Sequence, residues 1–415
     1  MTSLERKEAR YHRRKARREA KRRARLEAHT FERVIDPQSL YKAARESRKD
    51  VYWKASVQRY WMNILRNVFQ ASKDLKAGKD IRKGFIEFDI CERGKARHIR
   101  SVHFSERVVQ KSLCTNALIP HLLPALIHDN GASVKDKGIH FAIKRLKTHL
   151  RRHFRKHGRE GYVLLVDFRK YFDNIRHEPM KEIYVKAFGE DERLLDLSMG
   201  FVYAFGSSGL GLGSETSQIN AIAYSNGNDH HVKEVLRCKY YGRFMDDSYF
   251  ICESKEQAKG ILYAMLSQYA EMGINVSPNK TAIVKLTRGF TFLKTHFSLT
   301  ETGRIVARPG RKSITRQRRK LKKFQKFHAA GKMSMHEIRN SYMSWRGYVG
   351  QINSRRSIRT MDNLYKQLFG CSPWVKHPKP KQEVISWQKK QVEGQETQET
   401  QVPPLMMIST NLKPV

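Results

Sequence analysis

An unbroken apolar run at residues 162–166 (YVLLV) leads directly into Asp167. It reads as a buried strand with an acid at its C-terminal end. Residues 236–252 read as a β-hairpin with strands RCKYYGRF and SYFIC, and Met245, Asp246 and Asp247 sit at its turn. Placed in one sheet, the two features would bring three carboxylates to one edge on rigid, adjacent backbone. Either feature alone is ordinary. An aromatic-x-Asp-Asp match arises in roughly one chain in ten of this size, and an acid at a strand end is commonly a turn or cap residue. Their conjunction is far more restrictive.

The chemistry such an edge suits is transfer at phosphate. Hard Mg²⁺ takes oxygen ligands, commonly one or two carboxylates completed by substrate phosphates. Two ions a few Å apart can activate an attacking hydroxyl and stabilise a leaving oxygen.

The rest of the chain predicts a layered α+β protein. Residues 1–30 carry twelve Lys or Arg against four Glu, with Ala16, Ala20, Ala24 and Ala28 every four residues. This reads as an exposed basic helix or a disordered arm, serving RNA or a partner. Residues 84–104 read as a hairpin around Glu92, Arg93 and Gly94, followed by a helix from Ser105, its N-cap, to about Pro120. Ser254 and Gln257 have capping-box spacing, Gly273 marks a helix stop, and Ala258, Leu262, Met265 and Tyr269 form the apolar face between them. From Glu301 to Glu337 no acid interrupts a basic stretch in which Leu321, Phe324 and Phe327 recur at helical spacing. A second helical pattern runs through Ile338, Tyr342, Trp345, Val349 and Ile352. Beyond Cys371 the composition turns to Pro, Gln, Glu and Thr, which predicts a mostly disordered tail.

Charge narrows the partners. The 415 residues hold 81 Lys and Arg against 40 Asp and Glu, a formal charge of +41. A polyanion would offset that self-repulsion; nucleic acid is the usual one and an anionic membrane surface the competitor. No apolar run approaches the length of a membrane span, and the first thirty residues lack the apolar region of a signal peptide. Five cysteines without a C-x-x-C pair argue against a zinc ribbon or a disulfide scaffold and fit a reducing compartment. Asp229, His230 and His231 read as polar surface rather than a metal site, because adjacent histidines diverge on most backbones.

Six ordered motifs resemble those of reverse transcriptases. VDFRKYFDNI (166–175) resembles the first palm motif and FMDD (244–247) the aromatic-x-Asp-Asp motif. LGLGSETSQ (210–218) resembles the loop that contacts template and nucleotide. KARHIRSVHFSERVVQKSL (95–113) resembles the basic fingers segment, SPNKTAIV (277–284) the Lys-bearing fourth motif, and FTFLKTHF (290–297) the primer grip. The resemblance implies a right-hand polymerase: a basic N-terminal arm (1–35), fingers with part of the palm (36–160), a palm of antiparallel sheet plus helices (161–300), a basic helical thumb (301–372) and a tail (373–415). It implies an RNA-directed DNA polymerase using two Mg²⁺ ions, or Mn²⁺, with Asp167, Asp246, Asp247 and the Phe168 carbonyl at the metals. Phe172 falls at the steric gate that rejects a 2′ hydroxyl, Lys280 at the proton donor to pyrophosphate, and Lys95, Arg97 and Arg100 at the triphosphate. Arg suits that task because its planar fork bonds two phosphate oxygens.

Departures narrow the subfamily. Gly209, Gly211 and Gly213 let the backbone approach a base pair. Leu212–Gly213 and Ser217–Gln218 stand where many relatives have Gln-Gly and Ser-Pro. That combination resembles diversity-generating retroelement enzymes, in which the aliphatic residue goes with careless copying of template adenines. The alternative is another bacterial lineage, such as phage-defence reverse transcriptases. Lys294 stands where relatives usually have Gly, and no nuclease pattern follows the thumb. The implied partners are template RNA, a cDNA or RNA primer, dNTPs and a small basic accessory protein, in the cytoplasm of a prokaryotic host and without a membrane. An RNA-directed RNA polymerase and a non-catalytic RNA-binding protein are the competing functions.

Overall fold

The computed structural model describes residues 2–92 and 95–378. The chain forms two compact units, dividing between Lys285 and Leu286. Its fold is α+β with antiparallel sheets.

In the first unit, α1 (Ser3–Ala28) is a single helix with no buried residue. A reciprocal capping box between Thr2 and Glu5 starts it, and Ala and Arg, both strong helix formers, carry it. Helices α2 (Phe31–Ile35), α3 (Pro37–Ser47), α4 (Ala55–Met62) and α5 (Ile64–Lys76) follow. Asp36 caps α3 through the Ser39 amide at 2.9 Å, with Pro37 in the first turn. The hairpin β1 (Phe85–Glu92) and β2 (Lys95–Val102) pairs Phe85 with Val102. Its expected turn at Arg93 and Gly94 lies outside the described residues.

Helix α6 (Phe104–Leu113) starts one residue earlier than expected, with His103 at the N-cap, so Ser105 lies in the first turn and caps nothing. A π-helical turn at Cys114–Leu118 carries the chain into α7 (Ile119–Leu122). Then come α8 (Ile139–His157), β3 (Tyr162–Arg169), α9 (His177–Phe188), α10 (Glu192–Tyr203), α11 (Glu215–Tyr224) and α12 (Asn226–His230). The unit closes with β4 (Tyr241–Phe244), β5 (Asp247–Cys252), α13 (Lys255–Glu271), β6 (Asn275–Val276) and β7 (Ala282–Lys285). Residues 237–240, expected in the first hairpin strand, precede β4 instead.

These strands form one sheet in the order β4-β5-β3-β6, with β7 also on β3, and every pairing is antiparallel. α13 packs on β3 and β5 through Ala258, Ile261, Met265 and Tyr269; Leu262 is only partly buried. Ser254 caps α13 through the Gln257 amide at 3.0 Å, but Gln257 returns its side chain to the Glu253 amide, one residue before the expected partner. Gly273, at φ +70°, ends the helix as expected. One continuous core joins α2, α3, α5, α6, β3, α9, α10, α11, β5 and α13.

The second unit opens with the sheet β8 (Phe290–Phe292), β9 (Thr295–Leu299) and β10 (Ile305–Pro309), ordered β10-β9-β8. Residues 286–300, grouped with the palm on sequence, pack within this unit. Helices α14 (Arg311–Ala329), α15 (Met335–Gly350) and α16 (Arg355–Phe369) bury Leu321, Phe324, Ile338, Tyr342, Met361 and Tyr365 together. The β8–β9 turn holds Leu293 and Lys294 at φ +46° and +61°. Glycine favours that region, so Lys294 carries backbone strain.

Candidate active site

Antiparallel register places Asp167 of β3 directly opposite Asp247 of β5. Like charges across a sheet are destabilising, so this pairing serves something other than stability. Asp167, expected at the end of its strand, is not its last residue; β3 continues through Phe168 and Arg169, which pair with β6. Met245 and Asp246 form the two-residue turn between β4 and β5, and Met245 sits at φ +55°, a strained value for a bulky residue. The Phe168 amide donates to the Asp246 carbonyl at 3.1 Å, tying the turn to β3, and the Ser277 amide donates to the Asp167 carbonyl at 2.8 Å.

The electrostatics follow from crowding. Burial pushes the Asp246 carboxyl above its ordinary range, and the neighbouring Asp167 charge adds to this. Burial, with the charges of Asp246 and Asp167, pushes Asp247 up to about 7, and its carboxyl hydrogen-bonds that of Asp167. Two cations offset this: the Lys280 ammonium donates to both Asp167 carboxylate oxygens, at 2.5 and 2.7 Å, and the Arg97 charge acts on Asp246. Partial burial lowers the Lys280 pKa, but the bond to Asp167 and the surrounding carboxylates outweigh it and leave it raised.

A cavity of about 640 Å³ opens over this edge. Asp167, Asp246, Phe168, Phe172, Leu212, Lys280 and Arg97 line it. Phe172 is half-buried on a short 3₁₀ turn five residues beyond Asp167. Asp247 sits behind that lining, against Asp167. The other predicted residues lie elsewhere. Arg100 pairs with Glu87 of β1 at 3.0 Å and donates to the Phe205 carbonyl beyond α10 at 3.4 Å, so its side chain is already engaged. Gly213, at φ +111°, runs close against Ile99 of β2. Gln218 lies on α11 and accepts from Ser133 at 3.4 Å. Lys95 opens β2, and its side chain lies outside the described residues.

The reading of Asp229 as polar surface is wrong. Its carboxylate is fully buried and ion-paired with the buried Arg243 at 2.7 Å, and it accepts from the Tyr241 hydroxyl at 2.5 Å. Arg243 then donates to the Met245 carbonyl at 3.2 Å and to the Ile222 carbonyl at 2.8 Å. It therefore braces the strained turn that carries Asp246. An Arg beside an apolar strand was the available signal, but its partner lies fourteen residues away on a different element. His230 is half-exposed and hydrogen-bonded to Glu234 at 2.7 Å.

The family model "Reverse transcriptase (RNA-dependent DNA polymerase)" matches residues 81–297, just over half of the chain. This chain belongs to the reverse transcriptase family. No curated protein matches it. Among solved structures, the family member is similar to apo telomerase from Candida tropicalis truncated from its C-terminal domain, at TM-score 0.41 and 16% identity, covering 53% of this chain and 54% of that one. It is also similar to telomerase from Candida albicans in complex with a TWJ fragment of telomeric RNA, at TM-score 0.44 and 10% identity, covering 74% and 65% of the two chains. The chain thus spans just over half the length of the first and under two thirds of the second.

Members of this family work with divalent ions. Among the described residues, no group of three or more His, Cys, Asp or Glu is arranged as a ready metal cage. Donor chemistry nevertheless fits. Asp167, Asp246 and Asp247 offer hard carboxylate oxygens, and burial with mutual repulsion drives Asp246 and Asp247 toward protonation. Asp167 is ion-paired with the Lys280 ammonium, at 2.5 Å.

Proposed function

We propose that the protein is an RNA-directed DNA polymerase that makes cDNA by two-metal-ion nucleotidyl transfer. The observation that carries this reading is the Asp167–Asp247 cross-strand pair beside the Asp246 turn, with Asp167 and Asp246 open to the cavity, within a chain of this family. Mg²⁺, or Mn²⁺, bound by Asp167, Asp246, Asp247 and the Phe168 carbonyl would supply activation of the primer 3′ hydroxyl and stabilisation of the leaving oxygen.

The chain's own groups do the rest. Arg97 at the cavity edge holds the triphosphate with its planar fork, with Lys95 and Arg100 as the other basic residues of the strand. Lys280, a protonated ammonium within the site, donates to the departing pyrophosphate. Phe172 sits beneath the incoming sugar, where its ring would clash with a 2′ hydroxyl. Residues 36–160, 161–300 and 301–372 act as fingers, palm and thumb, residues 1–35 as a basic arm and 373–415 as a tail. Template RNA, an RNA or cDNA primer and dNTPs are the substrates, in a prokaryotic cytoplasm. No helix among the described residues is long and apolar enough to cross a membrane.

The finer assignment is the error-prone enzyme of a diversity-generating retroelement, served by a small basic accessory protein. Leu212 supports it: the residue lines the cavity with an aliphatic side chain where a Gln amide would make a polar contact near the nascent base pair. A phage-defence enzyme is the second reading. Primer extension on a mixed-base RNA template, followed by cDNA sequencing, tests both levels. The reading expects dNTP incorporation, errors concentrated at template adenines, and fewer such errors in Leu212→Gln. Preference for rNTPs would overturn the polymerase assignment. Errors spread evenly over the four template bases would overturn the retroelement assignment alone.

A further inference from the structure

Helix α1 carries twelve Lys and Arg against four Glu over its 26 residues, and it buries none of them. The charges are not mixed. On a helix of about 3.6 residues per turn, Arg10, Arg14, Arg17 and Lys21 fall in a single stripe. Eleven of the twelve basic residues lie within an arc of roughly 200° around that stripe. All four acids, Glu5, Glu8, Glu19 and Glu27, lie on the opposite side with most of the alanines. An ordinary solvated helix intersperses its signs to gain i,i+4 pairs. This one forgoes them over most of its length and keeps an acid-free face.

The helix is fastened at its C-terminal end. Arg22 donates to the Lys186 carbonyl at 3.1 Å, and Leu26 approaches Gly189. The following His29 donates from its ring Nδ1 to the Asn116 carbonyl, at 2.9 Å, and its own carbonyl accepts from His121 Nε2, at 2.8 Å. The helix is about 39 Å long at 1.5 Å per residue, and its basic residues, Arg6 to Arg25, span about 29 Å of it from that fixed root.

We propose that this face docks the phosphate backbone of structured template RNA outside the polymerase cleft, a proposal that rests on the RNA-templated reading above. Two observations select that occupant. Nine of the twelve basic residues are Arg, whose fork bonds phosphate oxygens bidentately. The helix has no apolar face; beyond Leu26 its only large apolar residues are Leu4 and Tyr11, so it lacks what an interfacial helix buries in lipid.

The test uses the full chain, a fluorescent RNA stem-loop of arbitrary sequence, and anionic phosphatidylserine vesicles. One variant replaces Arg10, Arg14, Arg17 and Lys21 with Gln, which keeps helix propensity. The other transposes charge at constant composition: Glu8→Arg with Arg14→Glu, and Glu19→Arg with Arg17→Glu. Both should bind the stem-loop about tenfold or more weakly at physiological salt, and the Gln variant's slope of log affinity against log salt should fall by about three. Both should extend a primer on a short unstructured RNA at the wild-type rate. Unchanged affinity and slope in the Gln variant would overturn the proposal. Wild-type affinity in the transposed variant would also overturn it, by showing that net charge rather than the face is read. Wild-type vesicle binding as tight as RNA binding would overturn the choice of RNA. Failure of the wild type to extend any primer would instead count against the polymerase reading.

Discussion

The Arg243 guanidinium lies 2.7 Å from the Asp229 carboxylate, both residues are buried, and the same guanidinium reaches the carbonyl of Met245 in the turn that carries Asp246. Breaking such a pair from one side strands a buried charge, at a cost of about 3–5 kcal/mol. Asp229→Asn should lower stability by that order in urea denaturation. Asp229→Leu combined with Arg243→Met removes both charges and should recover most of the loss. The double variant leaves the Met245 carbonyl without its donor, so primer extension should stay well below wild type. Full recovery of activity along with stability would mean that the pair only fills the core.

Lys294 occupies φ +61° in the β8–β9 turn. Left-handed backbone costs a non-glycine residue about 1–2 kcal/mol, part of which is offset by the greater unfolded-state freedom of Gly. Lys294→Gly should therefore raise stability, measured as a higher urea midpoint at unchanged m. A lower midpoint would show that the lysine side chain contributes more than its backbone strain costs.

The Asp247 carboxyl, pushed up by burial and then by the charges of Asp246 and Asp167, titrates at about 7. An acid whose folded pKa exceeds its unfolded value near 3.9 stabilises the fold most below that lower value, and the contribution is lost as pH rises through about 7. In metal-free buffer the wild-type melting temperature should decline between pH 5 and about 8. Asp247→Asn, which cannot ionise, should decline less over the same window. Parallel melting profiles would contradict the crowding described for this edge.

Phe172 lines the cavity five residues beyond Asp167. If its ring excludes the 2′ hydroxyl, Phe172→Ala should reduce discrimination between dNTPs and rNTPs by roughly tenfold or more, measured as the ratio of kcat/KM values. An unchanged ratio with a lowered melting temperature would assign the ring to packing alone.

Features encoded within a few residues were legible in the sequence. The run 162–166 gave the central strand, Ser254 and Gly273 the ends of α13, and the acid-free stretch after Glu301 the basic helix α14. Relationships set by three-dimensional pairing were not. Asp229 looked like surface because nothing nearby in the chain announces Arg243 as its partner. Arg100 looked free for phosphate because Glu87 meets it only across the β1–β2 ladder. The commitment of Lys280 to Asp167 links residues 113 apart. Ser105 carries the right side chain for a cap, yet the helix begins one residue before it. In each case tertiary placement, not a local preference, sets the relationship.

The carboxylate edge itself is tested most directly by single-nucleotide primer extension on a short RNA template with dNTPs and Mg²⁺, comparing wild type with Asp246→Ala and following RNA affinity in the same samples. The account predicts extension by wild type, loss of extension in the variant, and RNA affinity close to wild type. Extension by Asp246→Ala at the wild-type rate would contradict it.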